Sequence, residues 1–299
     1  MNPLTLLTRS LSFVLMLTLL AACHSDADAQ ASLEAGASQH PNLVLTSADV
    51  VDMRAHLNEF PSFYQNYVTT KAAIDAQMQQ PIVVPVPKDA GGGYTHEQHK
   101  ANYKTIHDAG VLYQLTGEPA YAAFVRDILF EYAQLFPTLG RHPVIRSSSP
   151  GRLFWQSLNE AVWLLYSIQG YDAIIDTLSD AERENIESNL FVPIATFLSQ
   201  GQPGTFDRIH NHGTWANAAV GMTGYVLGNE EFVQQALYGL DKSGEFGFVK
   251  QLDEMFSPDG YYNEGPYYQR YALMPFVIFA QSIESNDPEL AIFEYREQI

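Results

Sequence analysis

Apolar residues recur every three to four positions along most of the chain, in segments of helix length, and strict alternation is scarce. Ala109, Val111, Leu112 and Leu115 form one such stripe; Phe124, Ile128, Leu129 and Tyr132 form a second, and Val162, Leu165, Tyr166 and Ile168 a third. Each is closed by Gly or Pro, as helix ends require, and the pattern predicts an all-α fold. Ser179 followed by Glu182 three residues on reads as a capping box opening a further helix. Two stretches share a joint: Tyr113 to Gly117 and then Tyr121, and Tyr225 to Gly228 and then Phe232. A repeated helical hairpin of this kind predicts an incomplete (α/α) toroid, with a plain helical bundle as the alternative.

Three stretches interrupt the helical period by being polar, aromatic and punctuated by Gly or Pro: residues 146–159, 201–215 and 257–271. Loops of that character are where binding and catalysis concentrate. Residues 81–93, with three prolines and three glycines, read instead as an extended crossover.

The first residues behave differently. Arg9 precedes an apolar run over 11–20, too short to span a bilayer and suited to a signal peptide. Leu20, Ala21 and Ala22 ahead of Cys23 form a lipobox, so cleavage after residue 22 and acylation of Cys23 are expected, which would hold the protein to a membrane of the bacterial envelope. Residues 23–40 are small and polar and read as a flexible tether, leaving one globular body over 41–299. Cys23 is the only cysteine, which excludes disulfides, thiolate catalysis and cysteine-ligated zinc from that body. The net charge of -18 argues against nucleic acid as a partner, because the long-range field repels it.

Between Asp259 and Tyr271 five tyrosines fall within eleven residues, a composition suited to sugars, whose ring faces stack on aromatics while hydroxyls meet phenol oxygens. Pro266 fits a first helical turn, which would set Tyr268 and Tyr271 three apart on one face. Asn211 and His212 sit where a helix running to Leu227 is expected to start, and helix starts favour anions. A metal on His210 and His212 is disfavoured for want of a third ligand, and His96, His99 and His107 are expected on a solvated helix face. Asp259 and Glu264 could be a hydrolytic carboxyl pair, but both stand where turns and helix starts use a carboxyl group for capping.

Elimination on a uronate remains. It needs a donor such as Asn211 or His212 to mask the carboxylate as charge develops at C5, a base for H5 and an acid for O4; tyrosine or histidine can serve as either.

At residues 149–160, 210–215 and 259–268 the chain resembles the helical N-terminal domain of alginate lyases of polysaccharide lyase family 17, within the heparinase II/III-like superfamily. The resemblance implies that Asn211 and His212 neutralise the substrate carboxylate and that Tyr268 protonates O4 and also takes H5. It implies further that Arg146, Gln156, Asn159 and Tyr271 contact substrate. The expected reaction is exolytic cleavage of acidic alginate oligosaccharides to an unsaturated monouronate. No cofactor is implied within this chain, and a homodimer is left open. The family's toroid is followed by a β-sandwich domain bearing another histidine, arginine and tyrosine and a structural zinc site. These 299 residues therefore read as a partial sequence ending inside a helix. Two other functions stay open: a lyase for a heparin- or chondroitin-like polymer, and a lipid-anchored glycan binder without catalysis.

Overall fold

The computed structural model describes residues 39–295. The expected signal peptide, Cys23 and nearly all of the tether lie outside the described residues. The body, from His40 onward, is built of twelve α-helices among the described residues, with two isolated bridges, Asn42 to Thr46 and Phe256 to Tyr262, rather than a sheet. In chain order these are α1 (Ser47–Ala55), α2 (Pro61–Gln77), α3 (Tyr94–Thr116), α4 (Pro119–Leu135), α5 (Ser157–Asp172) and α6 (Asp180–Ile186). They continue with α7 (Val192–Leu198), the single turn α8 (Pro203–Phe206), α9 (Asn211–Leu227), α10 (Glu230–Tyr238), α11 (Gly247–Met255) and α12 (Pro266–Asn286). The fold is all-α, an incomplete (α/α) toroid.

Four helices, α3, α5, α9 and α12, pack side by side as an inner row, and the others wrap the outside. The two predicted joints are real hairpin corners. Gly117 and Gly228 both take left-handed backbone, at φ 72° and 60°, and end α3 and α9; α4 and α10 begin two residues later. Only glycine enters that region without a Cβ penalty, so each corner is fixed by sequence. Ser179 and Glu182 cap α6 reciprocally as expected, and residues 81–90 run extended between α2 and α3.

Contacts along the inner row run in register. His96 and His99 at the start of α3 meet Phe154 just ahead of α5, Tyr103 stacks on Tyr166 midway at 4.9 Å, and Gly110 faces Gly170 further on. Asn211 at the start of α9 meets Glu264 ahead of α12, Trp215 packs on Tyr271, Gly221 faces Phe279, and Tyr225 bonds Asp287 near the end. Within each pair the helices are therefore parallel. The loop ahead of α5 also joins α8, the turn that precedes α9, through Ser149 and Thr205, so all four inner helices start at one end of the body. Residues 40–43 tie the opposite end: Asp172 accepts from Asn42 and Leu43 amides and pairs with His40, while Asn286 donates to the Asn42 carbonyl.

The inner row is largely buried, and that corrects one expectation. His96 and His99 do not lie on a solvated face; both are buried, with only His107 partly exposed. Helix α3 packs against α1, α2, α4 and α5, so its polar stripe is enclosed: Tyr132 sits 2.8 Å from His99 Nδ1 and accepts from Asn102. The helix expected at the end of the chain falls mostly on residues outside the described ones. Residues 292–295 are turns, Ala291 takes left-handed backbone at φ 44°, and 296–299 lie outside the described residues. Among the described residues no helix is long and apolar enough to cross a membrane.

Candidate active site

The site grows from the shared starting end of the inner helices. The peptide N–H groups there have no partner within their own helix and confer a partial positive charge, which suits an acidic ligand. At α9 the residue before the helix, His210, caps it: Nδ1 accepts from the His212 amide at 3.2 Å. The next residue, Asn211, is clamped from another element. Its backbone N–H donates to Glu264 Oε1 at 3.1 Å and its side-chain Nδ2 to Glu264 Oε2 at 2.6 Å. His210 Nε2 lies 3.7 Å from the same carboxyl group, and the His210 and His212 rings meet edge to face at 4.8 Å.

Burial pushes His212 down to about 4, with His210 and Arg208 adding to the same effect. At neutral pH its ring is therefore uncharged, able to donate from one nitrogen and accept at the other. His210 is also lowered by burial, against an upward pull from Glu264. Tyr262, buried beside Glu264, is raised by burial first and by Glu264 second, so it stays a neutral phenol.

Pro266 occupies the first turn of α12, as predicted, and the aromatic run unwinds from it. Tyr268 is 48% exposed, with its ring edge-on to Tyr267, and Arg270 lies over the Tyr267 ring. Tyr271 packs on Trp215 of α9 at 5.0 Å. Its hydroxyl is raised by burial and then by Tyr103 and Tyr166, while the residue as a whole remains 38% exposed. One helix face thus carries two exposed tyrosines, Tyr268 and, one turn on, Tyr271 packed against Trp215.

The remaining expected contacts are placed less uniformly. Gln156 stands immediately before α5 and Asn159 in its first turn, both half-buried at the same end as Asn211. Arg146 is exposed in the loop ahead of them. Most of residues 149–160 serves the fold. Glu160 is fully buried and accepts the Arg152 and Leu153 amides at 2.8 and 3.1 Å. Arg152 lies over the Phe136 ring and donates to the Leu139 and Phe136 carbonyls that end α4.

Of the candidate hydrolytic pair, Asp259 accepts from Ser257 within its own turn, as a capping carboxyl would. Glu264 behaves differently: it serves α9, not the helix it precedes, and α12 has no side-chain cap. Sequence reasoning missed this. The signal was the unusual order Glu-Gly-Pro, which places the carboxyl outside capping reach of its own helix.

Among the described residues no three His, Cys, Asp or Glu side chains converge to hold a metal ion. A cavity of about 310 Å³ lies at the opposite end, lined by Leu43, Val44, Met53 and Val111, and includes no candidate catalytic residue.

The alginate lyase family model matches residues 57–298, most of the described body and all three motifs. The chain belongs to the alginate lyase family. It is 60% identical over 269 residues to an exo-oligoalginate lyase of Saccharophagus degradans, covering 90% of this chain and 36% of that protein. It is 52% identical over 257 residues to an alginate lyase of Stenotrophomonas maltophilia, covering 86% of this chain and 34% of the relative. The chain thus spans about a third of the length of these curated relatives.

Proposed function

We propose that the protein cleaves alginate oligosaccharides by β-elimination, removing one unsaturated monouronate at a time from an end. The single observation that carries this reading is the joining of the two motifs: Asn211 is bonded to Glu264, which stands four residues ahead of Tyr268. A carboxylate-masking amide and an exposed phenol are thereby held on adjacent inner-helix starts.

The steps follow from the side chains. The uronate carboxylate docks against the remaining Asn211 N–H and the neutral His212 ring, so that negative charge growing at C5 spreads into a hydrogen-bonded carboxylate. Tyr268 takes H5 and delivers a proton to the departing O4 when both lie on one face of the sugar; His212 is the second base when they do not. The C5–H and C4–O bonds break, the C4–C5 double bond forms, and no water is consumed. Support for the exolytic oligosaccharide substrate comes from the relative at 60% identity. The zinc that the resemblance implies belongs to the domain beyond the toroid, and every step here uses side chains of this chain.

The test is ultraviolet absorbance of the new double bond when the protein meets mannuronate and guluronate oligomers. Product is expected from wild type, and Tyr268→Phe should slow it by about 10²- to 10⁴-fold, the range for loss of a general acid or base. Turnover undiminished in the variant, or product from a heparin-like polymer in place of alginate, would overturn the assignment.

We also propose that the mature chain is held to an envelope membrane by lipid on Cys23, on the strength of the lipobox. Fatty-acid labelling that persists in Cys23→Ala would contradict this.

A further inference from the structure

We infer that Glu264 is a positioning residue for elimination: it fixes the Asn211 amide for the substrate carboxylate and holds the starts of α9 and α12 in one arrangement. The inference rests on the lyase reading above.

Three observations carry it. First, both oxygens of Glu264 go to one residue, Asn211, through its main-chain and side-chain nitrogens. An asparagine amide can lie either way round, and an acceptor at 2.6 Å admits only the orientation that turns nitrogen toward it. Nδ2 then keeps one free N–H, and Asn211, only 3% exposed, has little room to turn. Second, His210 caps α9 by accepting at Nδ1, so its proton must sit on Nε2, the nitrogen 3.7 Å from Glu264. The same carboxyl group favours the tautomer on which the His212 amide depends. Third, α12 has no side-chain cap of its own; the carboxyl nearest its start is spent on α9. The turn leading to Tyr268 is thereby pinned to the turn carrying Asn211 and His212. Displacement of about 1 Å in such a pair can cost about 10²-fold in rate.

The experiment is a double-mutant cycle on the intact protein, with Glu264→Gln, Asn211→Ala and both together, reading kcat and KM on mannuronate oligomers. Glu264→Gln keeps the side-chain length but sets an NH2 group against one of the two Asn211 donors. It is expected to lower kcat by about 10- to 100-fold with KM changed less than about threefold. Asn211→Ala should cost about 10²- to 10³-fold, and the double variant no more than that single change, because Glu264 acts through Asn211. Losses that multiply, or a Glu264→Gln enzyme within twofold of wild type, would overturn the inference.

Selective ¹⁵N labelling of asparagine supplies a readout independent of turnover: the Asn211 side-chain resonance should move in Glu264→Gln. Where that variant fails to fold, Glu264→Asp, which cannot reach both nitrogens, takes its place in both measurements. An active wild type whose Asn211 resonance ignores Glu264 overturns this inference alone. A wild type that forms no unsaturated product while the resonance responds faults the lyase reading and leaves the clamp standing.

Discussion

Glu160, in the first turn of α5, and Glu264, in the loop ahead of α12, each stand at the start of an inner helix and each accept two hydrogen bonds, yet their surroundings differ. Glu160 is fully enclosed and its partners are the Arg152 and Leu153 amides of the loop that leads into its own helix. Glu264 stays partly exposed and its partner is a residue of another helix, Asn211. The first carboxyl group ties a loop to the helix that follows it; the second fastens the starts of two different helices together and leaves an exposed tyrosine beside them. Motifs of equal prominence in the sequence thus divide between closing one local turn and joining distant elements. The division follows where the unspent polar groups are: the 149–160 stretch spends its carboxyl on its own amides and its guanidinium on the Leu139 and Phe136 carbonyls, whereas the 257–271 stretch leaves Tyr267 and Tyr268 facing solvent.

The largest effect that would sharpen this contrast is expected from Glu160→Ala. It strands two loop amides that the carboxyl now satisfies, and should destabilise the fold by about 3 to 5 kcal/mol in urea unfolding. A variant as stable as wild type would erase the distinction between the two carboxyl groups.

Next comes Gly151→Ala. A Cβ there would lie 2.1 Å from Glu160 Oε2 and 2.5 Å from the Phe154 carbonyl, so the loop must open. A cost of about 1 to 3 kcal/mol in thermal unfolding is expected, with Asn211 and Tyr268 untouched. If the folded variant instead lost turnover while keeping its stability, the 149–160 loop would have a direct part in the chemistry.

The smallest effect is the pH profile of stability. Burial raises Glu160 to about 7 from 4.5, so the stability its neutral form provides is present below about 4.5 and lost as pH rises through 7. Burial lowers His99 and His212 to about 4 from 6.5, so their contribution is complete above 6.5 and lost as pH falls through 4. His96 and His142 are lowered in the same direction by burial. With His210 these are five lowered histidines, against three carboxyl groups that burial raises, Glu160, Asp172 and Asp207, so melting temperature should climb between pH 4.5 and 6.5 and level near 6.5. Glu160→Gln should remove any decline from 6.5 to 7; a profile falling steadily from pH 4.5 upward would contradict these assignments.

Residue periodicity was enough for the helices, because a 3.6-residue apolar repeat closed by glycine has one low-energy outcome. The hairpin corners at Gly117 and Gly228, the capping box at Ser179 and the start of α9 at Asn211 were all legible for that reason. Asn211, His212 and Tyr268 were legible as candidates through residue type, position at helix starts and family resemblance. Which neighbours each helix would have was not. His96 and His99 looked solvated because polar residues at helical spacing usually are, and only the packing of α3 into the inner row enclosed them. Glu264 looked like a local cap because nothing in a linear pattern shows a carboxyl group reaching a residue 53 positions away. Local backbone preference is written in neighbouring residues and can be read from them, whereas the partner of a polar side chain is chosen by tertiary packing, where burial makes an unmet hydrogen bond costly enough to decide the matter.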